Sequence, residues 1–202
     1  MSTFDWRQFV TYAAQGYEGE KGDLKDRLDT AIWYARKNLK ALGAGAARNV
    51  YLLNARSALK IAQDEGGIEQ NRNEAQLAAD KTLPVARVLK HDPGFTWIVS
   101  ELVRPVKSHE EFLELAHYDI GDLTSVMEEL RAEEKAGQRV TARFVGDPFL
   151  WNVWQAVKRG DLALIDVNAL EHWGVTADRR LVLLDYGYTD ANYQALPNWL
   201  KR

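Results

Sequence analysis

The chain has 202 residues, enough for one domain of ordinary size, and its 46% hydrophobic and 27% charged residues exclude wholesale disorder. A formal charge of −3, from 26 Lys+Arg against 29 Asp+Glu, excludes a general nucleic-acid coat, and the lack of cysteine excludes disulfides, thiolate metal sites and a cysteine nucleophile. No apolar run reaches the ~20 residues of a bilayer span, and the first six residues lack the basic-then-apolar pattern of a signal peptide, so a cytoplasmic protein is expected.

A short helix is expected over residues 3–14, and Gly16, Gly19 and Gly22 break the chain after it. Residues 23–42 read as an amphipathic helix. Leu24, Leu28, Ala31, Ile32, Ala35, Leu39 and Leu42 share one face, Asp23 caps the start and Gly43 ends it. Two short apolar runs follow, 50–53 and 57–62, with Asn54-Ala55-Arg56 between them, which predicts a hairpin. Residues 66–80 read as a helix. Residues 85–89 and 97–103 read as strands around the turn sequence His91-Asp92-Pro93-Gly94.

Ser108-His109-Glu110-Glu111 has the form of a capping box. A second helix is expected to open at Asp122 and run to about Gly137. A third is expected over 147–159, carrying Phe149, Trp151, Val153, Trp154 and Val157. The chain then shows Trp173-Gly174-Val175, a turn at 176–180, and Leu181-Val182-Leu183-Leu184-Asp185-Tyr186-Gly187. Trp151, Trp154 and Trp173 are expected in the core.

Four local sequences, taken in order, resemble a protein-kinase-like fold. Gly43-Ala44-Gly45-Ala46-Ala47-Arg48-Asn49-Val50 resembles the glycine-rich loop at its two leading glycines and its valine, with Arg48 in place of the third glycine. Ala58-Leu59-Lys60-Ile61 resembles the strand that carries the phosphate-binding lysine. Trp97-Ile98-Val99-Ser100-Glu101-Leu102-Val103 resembles the strand and hinge between two lobes. Leu181 to Gly187 resembles the strand that delivers Asp-Phe-Gly, with Tyr186 for Phe.

The resemblance implies an α+β, two-lobed protein-kinase-like fold with a small antiparallel-sheet N-lobe and a reduced, mostly helical C-lobe. The implied divisions are an N-terminal helical extension over 1–42, the N-lobe over 43–104 and the C-lobe over 105–202. It also implies ATP and Mg²⁺ as cofactors. Gly43, Gly45, Val50 and Lys60 would hold the phosphates, and the backbone of Glu101, Leu102 and Val103 would meet the adenine. Glu74 would pair with Lys60, with Glu69 as the alternative. Asp185 would hold the metal.

The catalytic loop admits two registers. Arg159-Gly160-Asp161-Leu162 keeps an Asp-Leu pair and makes Asp161 the base, with Asp166 in the place of the usual asparagine. The second, preferred register counts back from the final hairpin. It makes Asp166 the base and His172 the metal-side residue, with Asn168 as a further ligand. Fifteen residues follow Gly187, so the substrate platform of a conventional protein kinase is not expected.

The compact form resembles kinase-like proteins encoded by bacteriophages, which would place it in a host cytoplasm. Two functions stay open. One is an ATP-dependent phosphotransferase. The other is a catalytically inactive pseudokinase acting as a protein-binding or assembly module, with a host or viral protein as partner. No membrane or general nucleic-acid partner is expected. The spacing of His91, His109, His117 and His172 supports no zinc site.

Overall fold

The side chain of Asp5 accepts hydrogen bonds from the N–H groups of Arg7 and Gln8, and so starts α1, Trp6–Gln15. Asp23 does the same for α2, Leu24–Asn38, by accepting from Asp26 N–H. The computed structural model describes residues 4–17, 22–138 and 146–191. It divides into two units, Met1–Ala75 with Arg87–Leu102, and Gln76–Ala86 with Val103–Arg202.

In the first unit, β1 (Lys40–Ala44), β2 (Arg48–Asn54), β3 (Ser57–Ala62), β4 (Val88–His91) and β5 (Trp97–Glu101) form an antiparallel sheet in the order β1-β2-β3-β5-β4. α3 (Glu65–Ala78) follows β3. β3 is central and buried along its whole length. Because strand side chains alternate, the sheet has two different faces. One presents Tyr51, Leu59, Ile61, Trp97 and Val99, which form a core with Phe9, Ala13, Ala31, Tyr34 and Ala35 of α1 and α2. Trp6 and Phe9 meet Trp97 edge-on, at ring-centroid distances of 5.1 and 5.9 Å. The N-terminal helices thus cover one face of the sheet. The other face carries Arg48, Val50 and Lys60.

The helix expected over 23–42 stops at Asn38, and residues 40–44 are a strand instead. Leu39 still packs on the core, but Leu42 is exposed. Pairing of β1 with β2 supplies backbone partners that outweigh the helical spacing of two leucines. The expected strand 85–89 is also divided. Val85 bridges Leu183 and Ala86 N–H donates to Leu183 O at 2.8 Å, both in the second unit. Val88–His91 pairs with β5 in the first unit.

The second unit contains β6 (Arg104–Pro105), α4 (His109–Ala116), α5 (Ile120–Lys135), α6 (Pro148–Gly160), α7 (Leu164–Asn168), β7 (Trp173–Val175) and β8 (Leu181–Leu183). β6, β7 and β8 form a three-stranded antiparallel sheet in that order. Its core includes Phe112, Leu123, Met127, Leu130, Val153, Trp154, Trp173 and Tyr186, while Trp151 is half-buried against it.

Asp119, not Asp122, caps α5, because Ile120 is already part of this core. Ser108 caps α4 as expected, but the carboxylate of Glu111 accepts from Lys107 N–H at 2.7 Å and from Arg104, so only half of the capping box forms. α7 and β6 were not expected. The proline of β6 argues against a strand from sequence, and its two residues are too few to show alternation.

Candidate functional site

Gly43, Val50, Lys60 and Ile98 lie in one row across the first unit's sheet, each paired with the next. The row brings three residues of the expected phosphate site side by side. The β1–β2 turn is bound down by its own chain. Gly45 N–H donates to Arg48 O at 2.9 Å, Gln63 N–H donates to Ala47 O at 2.8 Å, and the Gln63 side chain donates to Gly45 O at 3.1 Å. Asp64 accepts from Gly67 N–H at 2.8 Å at the start of α3. A Cβ on Gly67 would collide with Ala47 O and lie 3.0 Å from Ala62 Cα, so glycine allows α3 to seat against this turn.

Lys60 Nζ donates to Glu74 Oε1 at 2.9 Å and to Oε2 at 2.8 Å. Glu74 is fully buried and Lys60 is 7% exposed. A charge so removed from water needs an opposite charge or strong hydrogen bonds. Glu69, the alternative partner, is exposed on α3. Arg48 also reaches this carboxylate, donating to Oε1 at 2.7 Å. A 410 Å³ hollow lined by Arg36, Leu42, Gly43, Asn49 and Tyr51 lies toward α2. Tyr51 belongs to the core face of the sheet, so this hollow is not on the Lys60 face.

The expected hinge falls where the chain passes from one unit to the next, between Leu102 and Val103. Two of its donors are already engaged. Glu101 N–H donates to Arg87 O at 2.9 Å and Leu102 N–H to Arg56 O at 2.8 Å. The Glu101 carboxylate accepts from Arg87 N–H at 2.8 Å. Val103 is buried in the second unit.

In the second unit, Asp166 lies on α7 and is 8% exposed. His172 Nδ1 is 3.4 Å from Asp166 Oδ1, an ion-pair contact without a well-directed hydrogen bond. Burial pushes the His172 pKa down. The contact with Asp166 and the charges of Asp166, Asp185 and Glu171 push it up, and together they prevail, so it lies above the ordinary value. Asp185 is half-buried two residues after β8. Tyr186, fully buried, donates its hydroxyl hydrogen to Ala86 O.

Asp161 takes a left-handed conformation (φ 45°) at the end of α6, and its side chain accepts from Ala191 N–H at 3.3 Å. It serves local backbone. Asn168 accepts from the Thr124 hydroxyl at 3.2 Å. Among the described residues, no group of three His, Cys, Asp or Glu side chains could hold a metal. Mg²⁺ prefers oxygen ligands. By that measure the Asp185 carboxylate suits it, and an imidazole drawn toward its protonated form does not.

No family model and no curated protein sequence matches the chain. Among solved structures it is similar to the streptomycin-ATP-APH(2")-IIa ternary complex, with a TM-score of 0.42 and 11% identity, covering 82% of this chain and 74% of that one. It is also similar to SAICAR-synthase from Saccharomyces cerevisiae complexed with SAICAR, with a TM-score of 0.36 and 10% identity, covering 73% of each chain. In this chain a glycine-bearing hairpin leads to a buried lysine strand, whose lysine pairs with the glutamate of the next helix. The fold is α+β, and this arrangement agrees with the resemblance read from the sequence. Sequence reading found Lys60 and Glu74 but took Arg48 only as a lost glycine. The signal was its parity: Arg48, Val50 and Leu52 alternate on one face, and Val50 pairs with Lys60. Asn71, also buried against Arg48, carried no signal.

Proposed function

We propose that this kinase-like protein binds ATP, with Lys60 as the residue that meets the phosphates. The observation that carries this reading is the buried Lys60–Glu74 pair on β3 and α3. A buried ion pair is weak evidence of a purely stabilising role, because well-packed apolar residues in place of both partners often serve as well. The row Gly43-Val50-Lys60 and the small residues 43–47 support a backbone that phosphate oxygens can approach closely.

Adenine would be met at the hinge. With the Glu101 and Leu102 N–H groups engaged, the backbone of Val103 is the group proposed to meet it. Mg²⁺, when bound, would neutralise phosphate charge and hold the phosphates for displacement, and Asp185 is the residue proposed to hold it. His172 and Asn168 are weaker candidates, for the reasons of charge and engagement given above. Asp166 is the proposed base: its carboxylate would accept the proton of an acceptor hydroxyl, and His172 would hold it in place. Catalysis of this kind is mainly positioning and charge compensation.

A second reading, a catalytically inactive pseudokinase that serves as a protein-binding or assembly module, is favoured by one observation. Arg48 fills the position of the third glycine with a buried guanidinium.

Thermal unfolding with ATP and Mg²⁺ tests the binding. Nucleotide at 100 times its dissociation constant stabilises by about 2.7 kcal/mol, or about 5–10 °C for a chain of this size. The shift is expected to vanish in Lys60→Met, and no shift at millimolar nucleotide in the unsubstituted protein would rule out the reading. Release or transfer of the γ-phosphate, lost in Asp166→Asn, separates the enzyme from the binding module.

A further inference from the structure

Arg48 and Lys60 share a face of the sheet, since Val50 pairs with Lys60 and Arg48 is two residues before Val50. Arg48 is 5% exposed, and its guanidinium reaches two residues of α3. Nη1 donates to Glu74 Oε1 at 2.7 Å and to Asn71 Oδ1 at 3.4 Å. Asn71 is fully buried and lies one helical turn before Glu74. It donates in turn to Phe95 O at 2.9 Å, in the turn between β4 and β5. Glu74 Oε1 is therefore shared by two cations, while Oε2 accepts from Lys60. Asn71 fixes the Arg48 side of this arrangement.

A lysine that alone neutralises a buried glutamate is poorly placed to serve a ligand. Each movement of its ammonium toward a phosphate strips the carboxylate of its charge partner. A second cation on the same carboxylate removes that conflict. The planar guanidinium, with its directed donors, suits a fixed role, and the ammonium on a flexible stem suits a movable one.

We propose that Arg48 is a resident counter-ion of Glu74 that leaves Lys60 available to an anionic phosphate ligand. Arg48 is a positioning residue here: it acts through Glu74. The release of Lys60 to a ligand rests on the ATP-binding reading, whereas the counter-ion role does not.

A double-mutant cycle without nucleotide tests the counter-ion role. Arg48→Met and Lys60→Met are each expected to lower the unfolding midpoint by roughly 3 °C. The double variant is expected to lose about 10 °C or more, because two cations that touch Glu74 are then gone. Adding Glu74→Gln to the double variant is expected to restore part of the loss. If the double variant fails to fold while the triple one folds, the same conclusion holds. Additive single losses, or no rescue by Glu74→Gln, would overturn the role.

ATP with Mg²⁺ tests the release. The thermal shift is expected to be smaller in Arg48→Met than in the unsubstituted protein, and to recover in Arg48→Met/Glu74→Gln. Arg48→Lys, which keeps the charge, is expected to fall between. An equal shift in Arg48→Met would overturn the release. No shift in the unsubstituted protein would instead remove the ATP reading, and the cycle without nucleotide would still decide the counter-ion role.

Discussion

The carboxylate of Asp166 and the imidazole of His172 define what the second unit contributes at the level of single residues. Their contact is 3.4 Å, and His172 is held above its ordinary pKa. A group whose folded pKa is raised favours folding when it is protonated. Its contribution is fully present below the unfolded value of about 6.5 and is lost as pH rises through the folded value. The unfolding midpoint of the unsubstituted protein is therefore expected to fall, relative to His172→Gln, as pH rises above about 6.5. Parallel pH profiles would mean that the contact contributes nothing. Asp166 was legible in sequence only as the one acid shared by two loop registers. Asp161 ends a helix in a left-handed conformation, while Asp166 is buried on a short helix. No sequence period marks a helix of five residues.

At the level of elements, β3 and α3 were readable because each carries a clear pattern: an apolar run with one lysine, and a helical stretch that presents Glu74. Their junction was less so. Gly67 looks like a weak point in a helix, but the structure makes it a contact point, since the first turn of α3 presses on Ala47 and Ala62. Gly67→Ala is expected to cost about 2 kcal/mol, lowering the unfolding midpoint by about 4–8 °C. A change below about 1 °C would show that the turn gives way freely. At the start of α4, hydrogen bonds from Arg104 and from Lys107 N–H hold the Glu111 carboxyl down to about 2. A depressed carboxyl contributes stability above its ordinary value of 4.5, and loses it as pH falls toward about 2. Glu111→Gln is expected to flatten the acid limb of the stability profile there, and an unchanged limb would show that the helix start does not depend on this charge. The strand at 85–89 failed for a different reason. Five apolar-rich residues specify an extended chain but not which sheet it joins, and here the two halves join different ones.

Over the whole molecule, the α+β class and the order of most elements followed from hydrophobic periodicity and turn residues, and the resemblance implied the small antiparallel sheet. The N-terminal helices were read as an extension. They belong to the first unit, because the sheet face opposite Lys60 is apolar and Trp97, Tyr51 and Ile61 on it are buried by α1 and α2. That burial covers the Leu59 and Ile61 side of β3, while Lys60 lies on the other face with Glu74 of α3. Among the described residues no helix is long and apolar enough to cross a membrane. The proposed ATP binding depends on Lys60 meeting nucleotide phosphate. The direct measurement is labelling with an acyl-phosphate derivative of ATP, which acylates a lysine amine beside the phosphates, followed by mass spectrometry of the modified peptides. Acylation of Lys60 that excess ATP suppresses is expected. Acylation confined to other lysines, or acylation of Lys60 that ATP leaves unchanged, would contradict it.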